Sequence, residues 1–389
     1  MSGSTSTAWQ EQYSENIMKS AALPSAELVR GEGAYVWDSE GNKYLDFLGG
    51  IAVLSLGHAH PVLVKAVSEQ IATLGHVSNY FATPPQLELA ERLLRLTGGD
   101  RVYFCNSGAE AIEAGIKLAR RTGRPRILSL QNSFHGRTMG SLSLTGKPAL
   151  REAFEPLLPN VEHIDSTIEA LEKAMGPDVA ALFVEPIKGE AGVVDLPEGY
   201  LEAAREITTR HGALLILDEI QTGAGRTGAW FAFQKTGIVP DAIALAKGIG
   251  GGVPIGALVA YGAAADLLVA GQHGSTYGGN PLVTAAANAV LGEIERAGLV
   301  ENAERRGAEI RAALVGLPLV AEIRGQGLLI GVGLSKPVGA AVVASAAAEG
   351  LIVNAPNETS IRLAPALIID DTHVAEFIAK FTKALEANA

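Results

Sequence analysis

The chain has 389 residues and a formal net charge of −11, with 48% hydrophobic and 19% charged residues. This composition is ordinary for a globular protein of roughly two to three domains. The negative charge argues against nucleic acid as a partner, because binding to phosphates needs a basic surface. Cys105 is the only cysteine, which excludes an internal disulfide and a cysteine-based zinc site.

Neither secretion nor membrane insertion is expected from the sequence. The segment Met1–Gln10 is rich in Ser and Thr and lacks the apolar core of a secretory signal. The longest uncharged stretch, Gly248–Ala265, contains Pro254 and many glycines, and we interpret it as a loop and a strand rather than a transmembrane helix. Together with the single cysteine, these features favour the cytoplasm.

The first hundred residues predict mostly helices around one hairpin. The predicted elements are a helix and arm over residues 1–30, a hairpin of Ala34–Asp38 and Lys43–Asp46, and helices over Val62–Leu74 and Gln86–Leu96. His58 and His60 lie in the loop before the second helix. Since no further ligands of suitable spacing accompany them, we interpret them as turn residues, and we predict no metal site.

A strand over Arg101–Cys105 leads into a helix whose start is marked by Ser107 and Glu110. The spacing Ser-x-x-Glu is that of a capping box. A helix N-terminus after a strand can also bind an anion, because its free N–H groups and the positive end of the helix dipole face the ligand. Simple capping and anion binding are both compatible with this pattern.

The next strand, Arg126–Leu130, is followed by a polar loop, Asn132–Thr138, that contains Phe134 and Arg137. Ligands bind at loops that follow the carboxyl ends of strands in α/β sheets. Phe134 could stack on a flat ring, and Arg137 could bind a carboxylate with its planar guanidinium. The other interpretation is an ordinary loop that is anchored by a core Phe.

Two further apolar strands end in acidic residues. Val179–Val184 precedes Glu185, and Ala213–Leu217 runs directly into Asp218. An ionised carboxylate at the end of a buried strand needs a positive partner, which a protonated pyridine nitrogen would supply. The following segment, Gly223–Gly228, matches the dinucleotide pattern G-x-G-x-x-G, but no clear helix follows it, so we discount that interpretation.

The run Ala242–Ala246 predicts a short buried strand, and it is followed at once by Lys247 and a glycine cluster. Burying an ammonium group is costly unless the group is paired or neutral, so a lysine at this point suggests chemistry. A Schiff base to a carbonyl, as with pyridoxal phosphate, uses such an amine directly. The plain alternative is a lysine that extends from the strand end to water.

Beyond Lys247 the pattern changes from alternating strands and helices to a small α+β unit. The predicted elements are a strand over Val253–Tyr261, a loop over His273–Pro281, helices over Leu282–Ala297, Glu301–Leu314, Val338–Glu349 and Thr372–Leu385, and strands over Val320–Arg324, Leu328–Leu334 and Ser360–Leu363. The domain boundary is expected near residue 298.

Five segments occur in the order found in class III, or ω-type, PLP-dependent aminotransferases of fold type I, which the chain resembles over nearly its whole length. They are Asn106–Ala111, Phe134–Thr138, Leu217–Gln221, Ala246–Gly248 and the Gly-Ser-Thr-Tyr loop that ends at Tyr277. The resemblance implies an α/β fold with a large domain, whose mixed, mostly parallel sheet is flanked by helices, and a smaller α+β domain built from both termini. The expected limits are 1–56 for an N-terminal arm and part of the small domain, 57–298 for the large cofactor-binding domain and 299–389 for the C-terminal small domain.

The resemblance also implies roles for the cofactor residues. Lys247 would hold pyridoxal 5'-phosphate as a Schiff base and move a proton during catalysis. Asp218 would keep the pyridine nitrogen protonated, which makes the ring an electron sink. The remaining implied contacts are Phe134 on one ring face, Gln221 at the ring hydroxyl, and Ser107, Gly108 and Ala109 at the phosphate.

Two arginines are implied to bind carboxylates of the substrates. Arg137 would bind the carboxylate far from the reacting amine, and Arg362 would bind the α-carboxylate of 2-oxoglutarate. Glu190 would pair with Arg362 in the donor half-reaction and release it for the keto acid. In the Gly-Ser-Thr-Tyr loop, Ser275 would meet the substrate and Thr276 would reach the phosphate of the other subunit, which implies an obligate homodimer with shared active sites.

The implied reaction moves the δ-amino group of N2-acetyl-L-ornithine to 2-oxoglutarate and yields L-glutamate. Sibling ω-aminotransferases that act on succinylornithine, succinyl-diaminopimelate, ornithine or 4-aminobutyrate share the same cofactor residues, so they remain alternatives. An aminomutase of the same fold and a non-catalytic binding protein are further alternatives. Arg137 and Arg362 together favour transamination with a dicarboxylate, and Lys247 with Asp218 disfavours a pure binder.

Overall fold

The computed structural model describes residues 8–389, so the first seven residues of the segment Met1–Gln10 lie outside it. Within the described residues the strands are β1 (Leu28–Glu32), β2 (Tyr35–Asp38), β3 (Lys43–Asp46), β4 (Arg101–Cys105), β5 (Arg126–Leu130), β6 (Val161–Ile164), β7 (Val179–Val184), β8 (Ile187–Lys188), β9 (Val194–Asp195), β10 (Leu214–Asp218), β11 (Ala242–Leu245), β12 (Gly256–Ala260), β13 (Val320–Gln326), β14 (Leu329–Leu334), β15 (Leu351–Ile352), β16 (Asn354–Asn357) and β17 (Ser360–Leu363).

The helices of the same residues are α1 (Ala8–Asn16), α2 (Gly49–Ala52), α3 (Pro61–Thr73), α4 (Pro84–Thr97), α5 (Gly108–Arg120), α6 (Met139–Leu144), α7 (Pro148–Arg151), α8 (Ile168–Ala174), α9 (Tyr200–His211), α10 (Pro281–Arg296), α11 (Leu299–Leu314), α12 (Gly339–Ala348) and α13 (Asp371–Glu386). In the described part of the chain, no helix is both long and apolar enough to span a bilayer.

The central sheet has seven strands in the order β4-β12-β11-β10-β7-β5-β6. Only β12 runs antiparallel to its neighbours, β11 and β4, so the sheet is mixed and mostly parallel, as predicted. Every residue of β7, β11 and β12 is buried, which explains why these strands are continuous apolar runs rather than alternating ones.

Helices cover both faces of this sheet. Ile216 of β10 belongs to the same apolar cluster as α5, whereas its neighbours Leu215 and Leu217 belong to the cluster that contains α4 and α9. Alternate residues of a strand point to opposite faces, so the two clusters lie on opposite sides of the sheet. The expected α/β architecture with a helix-flanked sheet is therefore confirmed.

The smaller sheets join the two ends of the chain. β15 pairs in parallel with β3, with Leu351 opposite Leu45, and completes the sheet β1-β2-β3-β15. A separate antiparallel sheet has the order β13-β14-β17-β16. The N-terminal hairpin thus packs with the C-terminal α+β unit, as expected for a small domain built from both termini. The limits at residues 56 and 298 stay predictions.

Most of the predicted elements are present, and those that the sequence analysis missed are short. The elements that were not predicted are the strands β1, β6, β8, β9 and β16 and the helices α2, α6, α7 and α8. In β6, the adjacent polar residues Glu162 and His163 are flanked by Val161 and Ile164, and a pattern over four residues does not distinguish a strand from a loop. His58, interpreted as a turn residue, lies 2.9 Å from Asp46 through its Nε2 atom.

Candidate active site

A cavity of about 410 Å³ opens at the carboxyl edge of the parallel strands. β4, β10 and β11 end at this edge, and the residues that follow them form its walls together with the loop after β5. The lining includes Asn106, Ser107, Gly108, Ala109, Phe134, His135, Arg137, Glu185, Asp218, Gln221 and Lys247. Strands that run in parallel bring their carboxyl ends to one edge, so segments far apart in sequence meet there.

Lys247 occupies a strained position at the end of β11. Its φ of 46° lies in the left-handed region, which is uncommon for a residue with a side chain. Among residues 8–389, its amine has no hydrogen-bond or ion-pair partner. Burial lowers the pKa of Lys247, and this effect is only partly opposed by the charge of Glu190. A larger fraction of the amine is therefore uncharged at neutral pH, as a nucleophile or a proton acceptor needs.

Asp218, at the end of β10, is buried and pairs with a histidine. Its Oδ2 lies 2.7 Å from His135 Nδ1, and its Oδ1 accepts a hydrogen bond from Ile220 N at 3.1 Å. Burial alone would lower the pKa of His135, but the hydrogen bond and charge of Asp218 raise it above its ordinary value. The pair therefore favours a protonated His135 beside the Asp218 carboxyl group.

His135 was missed by the sequence analysis, which expected the positive partner of Asp218 to come from a cofactor alone. The protein itself supplies one, 83 residues away in sequence. The available signal was its position in the segment Phe134–Thr138, directly after a strand and its loop. The segment was interpreted only through Phe134 and Arg137, because neither spacing nor composition indicates a contact over that distance.

Glu185 was also passed over as a site residue. Its Oε2 accepts a hydrogen bond from Phe134 N at 2.9 Å, and its Oε1 accepts one from Gly189 N at 3.3 Å. Burial raises the pKa of Glu185 to about 7. This carboxyl group fixes the backbone of the Phe134 loop against the turn that carries Glu190.

The start of α5 forms one end of the cavity. Ser107 is the N-cap, and its Oγ accepts a hydrogen bond from Glu110 N at 3.2 Å. The predicted capping box is only half correct, because Glu110 Oε2 accepts from Asn106 N at 2.7 Å rather than from Ser107 N. The N–H groups of Gly108 and Ala109 have no partner among the described residues, so they remain available to an anion at the positive end of the helix dipole.

Behind Gln221 lies an ion pair between the buried Arg362, on β17, and the partly exposed Glu190. The Arg362 Nη1 donates to Glu190 Oε1 at 2.5 Å and to Gln221 Oε1 at 3.3 Å, and its Nη2 donates to Asn354 Oδ1 at 2.8 Å. Burial alone would raise the pKa of Glu190, but the charge and hydrogen bond of Arg362 lower it below its ordinary value. Glu190 is therefore ionised at neutral pH.

The other residues of the predicted site lie at the edge of the cavity or outside it. The guanidinium carbon of Arg137 is 5.7 Å from the centre of the Phe134 ring, and Arg137 is exposed. Ser275 Oγ accepts a hydrogen bond from Asn106 Nδ2 at 2.9 Å, which joins its loop to the cavity wall. Thr276 is exposed and does not line the cavity of its own chain.

The fold and the residues that line the cavity define an enzyme that reacts through a lysine amine. Comparison with known proteins identifies its family. The aminotransferase class-III family model matches residues 18–385. The chain therefore belongs to the class-III aminotransferase family, whose members use pyridoxal phosphate, and it is an aminotransferase.

Two curated relatives resemble the chain over nearly its whole length. An acetylornithine aminotransferase of Mycobacterium leprae is 51% identical and covers 99% of this chain and 97% of its own. An acetylornithine aminotransferase of Streptomyces coelicolor is 52% identical, and the alignment covers 95% of this chain and 93% of the relative.

Solved structures of similar proteins share the fold. An ornithine aminotransferase of Toxoplasma gondii, described with partial occupancy of PLP at its active site, has a TM-score of 0.92, 34% identity and coverage of 97% of this chain and 94% of its own. An N-acetylornithine aminotransferase of Stenotrophomonas maltophilia has a TM-score of 0.83, 36% identity and coverage of 97% and 98%.

The residues at the cavity fit pyridoxal phosphate on chemical grounds. One end presents the free N–H groups of α5 and the Ser107 hydroxyl, which suit a phosphate. Phe134 and Ile220 add apolar surface to the lining, which suits a flat ring. The lining also includes Asp218, which is paired with His135, and Lys247, whose amine has no partner within residues 8–389.

Proposed function

We propose that this chain transfers the δ-amino group of N2-acetyl-L-ornithine to 2-oxoglutarate and forms N-acetyl-L-glutamate 5-semialdehyde and L-glutamate, a step in arginine biosynthesis. The observation that carries the proposal is the pair of arginines beside the Lys247 cavity, one exposed and one covered by Glu190. Two carboxylate-binding arginines that differ in accessibility suit an enzyme whose two substrates enter the cavity in different orientations. The choice of donor is supported by the relatives of 51% and 52% identity, which are acetylornithine aminotransferases.

The proposed cofactor contacts follow from the lining of the cavity. Pyridoxal phosphate supplies, when bound, a carbonyl group that exchanges amines and a ring that withdraws electrons. Ser107, Gly108 and Ala109 would hold its phosphate, Phe134 would cover the ring, Gln221 would contact the ring hydroxyl and Asp218 the ring nitrogen.

Lys247 is the proposed catalytic base. Its lowered pKa lets the amine accept a proton at Nζ near neutral pH, and a base works best when its pKa is close to the working pH. Asp218 is buried and hydrogen-bonded to His135, so its carboxyl group is held in place to stabilise a positive charge that faces it in the cavity. His135 is thus the positioning residue that orients Asp218.

The substrates would be distinguished by the two arginines. Arg137, exposed at the cavity edge, would bind the carboxylate of N-acetylornithine while Glu190 neutralises Arg362. For 2-oxoglutarate, Glu190 would leave Arg362, whose guanidinium would then bind the keto-acid carboxylate in a forked geometry. Ser275 would contact substrate from its loop. In this proposal, the position of the Glu190 side chain determines which end of a substrate can bind in the cavity.

The active unit would be a homodimer with shared sites. α3 has no buried residue in the single chain, although it carries the exposed side chains of Val62, Val64 and Ile71. An amphipathic or apolar helix that is left uncovered marks an interaction surface. Thr276, exposed and outside its own cavity, would reach the phosphate in a second copy. The cytoplasm is the proposed location, which suits the single thiol of Cys105.

Ornithine itself is the second candidate donor. The Toxoplasma gondii ornithine aminotransferase shares the fold with a TM-score of 0.92, and the proposed cofactor residues do not discriminate between the two amines. The lower identity, 34% against 51%, favours the acetylated donor. The siblings that use succinylornithine, succinyl-diaminopimelate or 4-aminobutyrate have no such observation in their favour.

The test is the visible absorption spectrum of the purified holoenzyme during separate half-reactions. N-acetylornithine without keto acid is expected to remove the visible band of the bound cofactor, and 2-oxoglutarate is expected to restore it. Ornithine is added to a second sample at the same concentration. A faster response to ornithine would move the function to the sibling enzyme, and a Lys247→Ala variant that responds normally would contradict the assigned role of the lysine.

A further inference from the structure

A second cavity, of about 360 Å³, lies behind the turn that carries Glu190. Its polar lining comprises Asn132, Lys147, Lys188, Glu190 and Asn357. The cavity shares no lining residue with the one that Lys247 lines, but the two are linked through Arg362, which donates to Glu190 of the second cavity and to Gln221 of the first. Lys147, just before α7, and Lys188, on β8, therefore face one open cavity close to the active site.

Neither lysine has a carboxylate partner. Lys188 is only 7% exposed, and its Nζ donates to Gln131 O at 2.9 Å and to the Ser166 hydroxyl. Lys147 Nζ donates to Glu190 O at 2.5 Å. Within the described part of the chain, no side-chain carboxylate oxygen of Asp or Glu lies within 4.0 Å of either amine. Two ammonium groups in partly desolvated positions are costly without counter-charge.

The nearby carboxylates are already engaged. Glu190 pairs with Arg362, and both oxygens of Glu185 accept hydrogen bonds from backbone N–H groups. Burial lowers the pKa of Lys147 and of Lys188, although the charges of Glu190 and Glu185 act in the opposite direction on Lys147, and those of Glu185 and Asp165 do so on Lys188. The space between the lysines thus has an excess of positive charge.

We propose that this second cavity binds a small anion with a carboxylate or phosphate group, held by Lys147 and Lys188. The volume accommodates a molecule of amino-acid size. The side-chain amides of Asn132 and Asn357 at the same cavity can donate to further oxygens of the ligand.

The bound anion would act on the active site through the Glu190 turn. Lys147 Nζ donates a hydrogen bond to Glu190 O, and Asn357 Nδ2 donates one to Ala191 O at 3.1 Å. Both bonds fix the backbone of the turn that carries Glu190. On the opposite side the Glu190 carboxylate covers Arg362. An anion that draws Lys147 away from Glu190 O loosens that cover, which makes Arg362 easier to reach for 2-oxoglutarate. This regulatory step rests on the proposed function, whereas the binding site does not.

Binding is tested by calorimetry on the holoenzyme, with inorganic phosphate and succinate as separate probes at constant ionic strength. Lys188→Gln removes one ligand, and Lys336→Gln, at an exposed lysine, removes the same charge elsewhere. We expect Lys188→Gln to weaken binding of at least one probe about tenfold, as for the loss of one charge-assisted hydrogen bond, and Lys336→Gln to leave it unchanged. Stronger binding of phosphate or of succinate identifies the group that the site prefers.

The proposal is overturned if Lys188→Gln binds both probes as tightly as the unmodified enzyme, because the anions then sit elsewhere, for example on Arg362. Lys147→Gln provides a second variant in case Lys188→Gln does not fold, which circular dichroism and cofactor absorption would reveal. It should weaken the same probe.

A kinetic measurement tests the coupling. A saturating probe should lower the KM for 2-oxoglutarate by at least about twofold in the unmodified enzyme and leave it unchanged in Lys188→Gln. An equal effect of the probe on both enzymes would refute the coupling. If N-acetylornithine proves not to be the donor, the calorimetric result still stands, so failure of the proposed function and failure of the anion site are distinguishable.

Discussion

Replacing Glu190 with Gln should change the enzyme's preference between its two amino donors, L-glutamate and N-acetylornithine. In the structure, Glu190 covers the guanidinium of Arg362, a side chain that is 1% exposed. A keto-acid carboxylate can bind Arg362 only after Glu190 has left. Gln keeps the size and one hydrogen-bond acceptor but lacks the negative charge, so Arg362 becomes easier to reach for an anion.

The size of the effect follows from the contact that is weakened. A hydrogen bond that involves a charged group contributes about 1.5–3 kcal/mol, and 1.36 kcal/mol corresponds to a factor of ten. The Glu190 side chain is 25% exposed, and the amide oxygen of Gln still accepts a hydrogen bond, so the lower end applies. Arg362 also keeps its bond to Asn354 Oδ1. We therefore expect the KM for 2-oxoglutarate to fall about tenfold.

The assay compares both half-reactions. The ratio of kcat/KM for L-glutamate to kcat/KM for N-acetylornithine should rise about tenfold or more in Glu190→Gln, since an uncovered Arg362 also attracts the donor carboxylate in a non-productive orientation. Glu198→Gln, the same change at an exposed position, serves as the control. An unchanged ratio in Glu190→Gln would refute the role of Glu190 as the substrate switch.

Three further changes test the packing and electrostatics around the site. Burial raises the pKa of Glu219 to about 7, so its contribution to stability is present below the ordinary carboxyl pKa and is lost as the pH rises through about 7. Glu219→Gln should accordingly raise the free energy of unfolding at pH 8 by up to about 3 kcal/mol and have little effect at pH 4, as measured by urea unfolding. Arg226 is buried and donates a hydrogen bond to the backbone oxygen of Pro365. Pro365 follows β17, the strand that carries Arg362. Arg226→Met should raise the KM for 2-oxoglutarate more than that for the donor, and equal changes would argue for a general loss of structure. A Cβ at Gly307 would lie 1.9 Å from a backbone oxygen, whereas one at Gly292, also within a helix, has ordinary contacts. Gly307→Ala should lower the melting temperature by a destabilisation of about 1–3 kcal/mol, and Gly292→Ala should not lower it.

Local patterns in the sequence were sufficient to predict six of the seven strands of the large sheet, all except β6. The apolar runs before Asp218 and Lys247 predicted buried strands, and Ser107 predicted the start of α5. These signals are local, because strand burial and helix capping depend on residues within a few positions of one another. The order of the five segments added the family, and with it the expectation of a cofactor and of two carboxylate-binding arginines.

Only the tertiary structure decided how the charges of the site are paired. His135 meets Asp218 across 83 residues of sequence, and Lys147 and Lys188 meet at one cavity next to Glu190. In the sequence these lysines are indistinguishable from exposed ones, because nothing local indicates that they are desolvated or without a carboxylate. The pairing and burial of charges depend on contacts between distant segments, and those contacts exist only once the sheet has brought its strand ends together.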